Sequence, residues 1–186
     1  MSAFTVIRDV TRTLDVLLTN EVGVAVDSDR SPAEIAVVAP LISLFLYRIE
    51  RNPSFANLGW QPGGTAAQLV APPFGLNLHY LICAYGPTQV EIHATLGEVM
   101  RVLHDHAVIR ADDPVLDPNL AAMTEELKIV PHNLSLPDTM ELWKSFERVP
   151  FRLSLAYEVS VVVIDSAVTR TVRRVQERRV EVEQLR

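Results

Sequence analysis

Residues 153–163 constrain this chain more than any other stretch. Leu153, Leu155, Tyr157, Val159, Val161 and Val163 alternate with Arg152, Ser154, Ala156, Glu158 and Ser160. A period of two residues fits only a β-strand with one face buried and one partly wet. Such a strand needs neighbours on its edges and a layer over its apolar face. A second run, Leu76–Tyr85, places Leu76, Leu78, Tyr80, Ile82 and Ala84 on one side and Asn77, His79, Leu81 and Cys83 on the other. Gly86 and Pro87 end it.

Other segments supply the covering layers. Ser2 is placed to cap a helix over about 3–20, with Ala3, Ile7, Val10, Leu14 and Leu17 at helical spacing and Arg8, Asp9, Arg12 and Asp15 on the opposite face. Residues 88–106 predict the longest amphipathic helix, with Ile92, Leu96, Val99, Met100 and Leu103 as its stripe. Ser135, Leu136, Pro137 and Asp138 read as a helix start, and Met140, Trp143 and Phe146 carry that helix to about residue 148. Runs Ile35–Ala39 and Leu41–Ile49, split by Pro40, read as strands, with Ser43 and Arg48 on opposite faces of the second. Glu126–Val130 is a weaker strand. Residues 27–34 and 110–119 read as polar and acidic loops. From Asn52 to Pro73 four prolines and three glycines leave no period, which predicts a long irregular loop with Trp60 at its centre. The whole reads as an α+β single domain, a mixed or antiparallel sheet flanked by two to three helices.

The net charge of −6 is unevenly placed. Residues 170–186 hold Arg170, Arg173, Arg174, Arg178, Arg179 and Arg186 against three glutamates, a net +3, which leaves −9 for the rest. We therefore divide the chain into a domain of residues 1–165 and a basic C-terminal arm of 166–186, in which Val168, Val172 and Val175 suit a helix and Val180 and Val182 an added strand. The arm and Trp60 are the candidate interaction residues: Trp60, Arg170, Arg173, Arg174, Arg178 and Arg179. Trp60 acts either as an exposed anchor or as a staple folded back on its loop. Arginine pairs such as Arg173–Arg174 raise a nucleic-acid or regulatory reading, because guanidinium binds phosphate bidentately. The acidic body, the lack of aromatics in the arm and the lack of any nucleic-acid-binding signature weigh against it.

Signals for chemistry are few. No G-x-x-x-x-G-K-S/T, G-x-G-x-x-G, G-x-S-x-G or H-E-x-x-H motif occurs, and one cysteine excludes a disulfide framework. His104 and His106 at a helix end point apart, and a helix terminus accounts for both. His79 and Cys83 lie about 13 Å apart along a strand, too far to act as a pair. Asp112, Asp113 and Asp117 lack the spacing of a calcium loop. The residues therefore predict no enzyme, no cofactor and no metal. With no basic-then-apolar leader at Met1–Asp9 and no apolar run of about 20 residues, they predict a cytoplasmic product without membrane contact.

Four ordered stretches carry a family resemblance: Ile42–Asn52 with its Leu-Phe-Leu-Tyr run, Leu76–Tyr85 with Leu-His-Tyr-Leu, Leu96–Ile109, and Leu142–Phe146 followed by Pro150–Val159. Together they resemble the tail-tube terminator (cap) proteins of phage-tail-like contractile injection systems, over roughly residues 1–165. Ala107 stands where the family pattern leads us to expect proline after His106. The resemblance implies a structural, non-catalytic protein. It implies a homo-oligomer, a hexameric ring, at the distal end of the inner tube protein and the sheath protein. Such a ring ends their polymerisation and holds the sheath extended within an injection particle assembled in the cytoplasm. The arm then suits strand addition to a neighbouring subunit.

Overall fold

The alternating run does form a strand, and its neighbours follow from the apolar runs around it. The structure, a computed structural model, describes residues 5–35, 40–64, 67–121, 126–147 and 149–172. The elements run α1 (Val6–Val22), β1 (Val26–Asp27), β2 (Leu41–Arg51), a 3-10 turn (Pro53–Phe55), β3 (Gln61–Pro62), β4 (Gln68–Val70) and β5 (Phe74–Tyr85). Then come α2 (Gln89–Asp105), β6 (Val108–Arg110), α3 (Pro118–Ala121), β7 (Glu126–Pro131), α4 (Leu136–Ser145), β8 (Ser154–Ile164) and β9 (Thr169–Thr171). Six strands make one sheet in the order β1-β2-β5-β8-β7-β6, and β3-β4-β9 make a second. Among the described residues only β1 pairs in parallel, with β2, so the main sheet is mixed. The expected α+β architecture is the observed one.

Strand β5 lies at the centre because it is apolar on both sides. Leu76, Leu78, Tyr80 and Ile82 pack with Val10, Leu14 and Leu17 of α1 and Val99, Val102 and Leu103 of α2. On the other face Leu81, Cys83 and Tyr85 meet Trp143 of α4 and Phe146 just after it, together with Ile35. The Trp143 ring packs edge-on against Phe146 and Phe151, and its Nε1–H donates to Ser154 Oγ at 3.2 Å. The helix ends are capped, at Ser135 as the sequence signalled. Thr88 Oγ1 accepts from Glu91 N at the start of α2, and Ser135 Oγ accepts from Asp138 N at the start of α4. Gly23 ends α1 at φ 70°, a left-handed turn that favours glycine, and its N–H donates to Thr19 O.

Several expectations need correction. Asp9 is not on the wet face of α1: it is 1% exposed, with Thr5 Oγ1 at 2.7 Å and Arg8 Nε at 2.8 Å supplying its carboxylate. In α2, Val102 is buried and Met100 is exposed, so the stripe turns one residue further than the spacing suggested. Strands β2 and β8 each contain a register shift. In β2 it falls at Tyr47, with Leu46 opposite Tyr80 and Arg48 opposite His79. Arg48 therefore shares a face with Ser43, contrary to simple alternation. In β8 the shift brings Val162 into the core, while Val163 is only partly buried. Leu153 precedes β8 and is exposed. Ile35 is in no strand, and residues 36–39 of that expected strand lie outside the described residues, as does the Ser2 cap. The irregular loop 52–73 instead contains the 3-10 turn, β3 and β4, and the acidic loop 110–119 is flanked by β6 and α3. Residues 169–171, a candidate helix by valine spacing, form a strand. Among the described residues no helix is long and apolar enough to cross a membrane.

Two outcomes follow from this packing. Trp143→Ala should destabilise the fold by about 3–5 kcal/mol, the cost typical of a buried Trp truncation, measured by denaturant unfolding. Burial pushes the Cys83 thiol up to about 12. At mildly alkaline pH its reaction with a disulfide reagent should be orders of magnitude slower than in denaturant.

Candidate functional site

The candidate interaction residues converge in part. Pairing of β4 with β9 sets Gln68, Leu69 and Val70 opposite Thr171, Arg170 and Thr169. Ala71 N donates to Val168 O and Val172 N to Ala67 O, both at 2.8 Å, extending the ladder at each end. On the other edge β3 joins β4 through a turn in which Gly63 N donates to Gln68 O at 2.8 Å. A Cβ on Gly63 would sit 3.0 Å from that same oxygen, so the turn needs glycine's small volume. This second sheet brings Arg170 over Trp60, guanidinium carbon to ring centroid 4.6 Å. Trp60 is thus both folded onto its own chain and 38% exposed. Arg173, Arg174, Arg178 and Arg179 lie outside the described residues.

The residues weighed for chemistry land in other places. His104 is exposed on the last turn of α2, and the backbone of His106 caps that helix by donating to Val102 O at 3.0 Å. Arg101, between Glu98 and Asp105, forms ion pairs with both at 2.7 Å on the same face. Asp113 and Asp117 accept from Val115 N and Asn119 N and so shape turns.

His79 has company that spacing along the chain did not reveal. It stands opposite Glu158 in the β5–β8 ladder, and Glu158 stands opposite Val130 in β7. Just past β7, His132 N donates to Ala156 O, so its side chain falls on the face of Val130 and Glu158. The shift at Tyr47 turns Glu50 to the same face. The result is a polar row across four strands. His79 Nε2 is 3.1 Å from Glu50 Oε2, His79 Nδ1 is 4.0 Å from Glu158 Oε2, and the His79 and His132 rings pack edge-on at 4.8 Å. Glu50 also pairs with Arg48. Only the pairing of strands distant in sequence assembles this group. The one local signal was a histidine inside a largely apolar strand.

The Trp60–Arg170 contact has a measurable consequence. An exposed cation–π pair contributes about 0.5–1 kcal/mol. Arg170→Ala should therefore speed amide exchange in the β4–β9 ladder about two- to fivefold, read by hydrogen-exchange mass spectrometry.

The fold has known counterparts. The sequence matches the family described as the Pvc16 N-terminal domain over residues 9–178. No curated protein matches it. The sheath/tube terminator of an extracellular contractile injection system (PVC), solved by cryo-EM in its extended state, is similar with a TM-score of 0.69 and 21% identity. That similarity covers 96% of this chain and 64% of that one. The tube-terminating cap of the anti-feeding prophage (AFP) is similar with a TM-score of 0.65 and 20% identity, over 93% of this chain and 60% of that one. The chain spans less than two thirds of the length of either. The match to the family covers most of the sequence, and both structural similarities extend over more than nine tenths of this chain. The chain therefore belongs to the Pvc16 N-terminal domain family and has the fold of the tube-terminating caps of contractile injection systems.

Proposed function

We propose that this protein is a structural cap of a contractile injection particle. Copies of the chain form a ring, six-membered by our reading, on the distal end of the inner tube and sheath. The ring stops both polymers from growing and holds the sheath extended. Assembly takes place in the cytoplasm. The observation that carries this reading is the family match from residue 9 to residue 178. The shape of the chain supports it, because an apolar double-faced strand and its helices make a firm body whose outer surfaces are free to serve as contacts.

A closed ring needs two different complementary patches on each copy. In our reading the basic arm supplies one of them, with Trp60 and Arg170 at its base and Arg173, Arg174, Arg178 and Arg179 beyond. An acidic surface of the neighbouring subunit supplies the other. Complementary charge of this kind selects the partner and sets register.

Electron microscopy of particles made without the protein tests the reading. Tubes and sheaths of uncontrolled length are the expected result, and particles of normal, uniform length would overturn it. Reversing Arg173, Arg174, Arg178 and Arg179 to glutamate should leave the circular dichroism spectrum unchanged while broadening the length distribution.

A further inference from the structure

The polar row across the main sheet contains an arrangement that a cap's structural role does not require. His79 is 1% exposed, yet among the described residues its Nδ1 has no hydrogen-bond partner. A buried ring nitrogen left unpaired is destabilising unless something satisfies it. Its other nitrogen is committed: a carboxylate only accepts, so Nε2–H donates to Glu50 Oε2 at 3.1 Å. That leaves a lone pair on Nδ1, directed among acceptors. Glu158 Oε2 lies 4.0 Å away, and one donor atom from each of His79, His132 and Glu158 falls within 4.8 Å of the others.

Two lone-pair donors facing each other across such a gap call for a cation between them. A proton on Nδ1 would draw the carboxylate in to about 2.7–2.9 Å, the length of a charge-assisted hydrogen bond. The observed 4.0 Å is longer. It lies closer to the edge of a tetrahedral site, where metal–ligand bonds of 2.0–2.2 Å place the ligand atoms about 3.4 Å apart. His132 and Glu158 are both partly exposed, so modest side-chain rotation closes the remainder. Glu50 already occupies the outer position: histidines that bind metals commonly donate their second N–H to a carboxylate, which fixes tautomer and ring orientation.

We propose that His79, His132 and Glu158 bind one divalent metal ion of the zinc class, with Glu50 orienting His79. Two imidazoles and a carboxylate are a zinc donor set, and three protein ligands leave one coordination position open. The ligands come from β5, β8 and the residue following β7. The ion therefore ties three adjacent strands together across the ladder and stabilises the folded form by mass action.

The test uses the untagged full chain, freed of metal with a chelator. Titration with zinc chloride should show saturable uptake of one ion per chain and a rise in melting temperature that chelator reverses. Cobalt(II) should give the intense visible absorption of a tetrahedral site. Since His79 is buried, the deciding variants are His132→Ala and Glu158→Gln, each checked for folding by circular dichroism. Each should weaken zinc binding about 100-fold or more, and Glu50→Gln about 10- to 100-fold. No saturable uptake by the native chain, or unchanged affinity in folded His132→Ala, would overturn the proposal.

Discussion

Everything in this protein hangs on a twelve-residue strand that is covered on both faces and paired on both edges. β5 sits between β2 and β8, with α1 and α2 on one side and α4 on the other. Sheets that carry helices on both faces are normally parallel, because crossover connections place the helices there. Here an antiparallel centre reaches the same burial, because α4 is delivered to the far face by the chain between β7 and β8. The cost is a strand whose buried polar groups need partners built in, and among the described residues His79 Nδ1 and the Tyr85 hydroxyl have none. Tyr80 meets that condition through a 2.8 Å contact with Thr11, and Asn77 through a 2.9 Å bond from Asn52.

How much of this was legible in the sequence depended on the range of the interaction. Ser135 and Pro137 announced the start of α4, and the alternation at 154–160 announced β8, because capping and pleating act over a few residues. The register shifts at Tyr47 and in β8 were not legible. A bulge is set by fit to the opposite strand, and simple alternation carries straight through it. Strands β3 and β4 were missed for a related reason. Their prolines and glycines carry no period, and the strand that completes their sheet lies a hundred residues further on. Trp60 drew attention by its residue type, but Arg170 as its cover did not, since that contact depends on the same distant pairing.

Asp9 and His79 show where pattern reading fails in a physically useful way. Both are polar residues that the folded chain buries almost completely. For Asp9 the partners are local, Thr5 and Arg8, and helical spacing could have flagged them. For His79 they come from three other segments, and the extra residue at Tyr47 decides whether Glu50 is on the right side to take part. One inserted position in a ladder thus determines which chemistry a sheet face presents.

The second sheet has a mechanical consequence. Its strand β9 leaves the main sheet just after β8 and pairs with only three residues of β4. Any pull on the chain past Val172 is transmitted along β9 as shear on that short ladder. The load reaches the segment holding Trp60 before it reaches the body of the domain. That ladder has three residue pairs where β5 pairs with β2 over ten and with β8 over nine, so load on β9 meets the shorter ladder first.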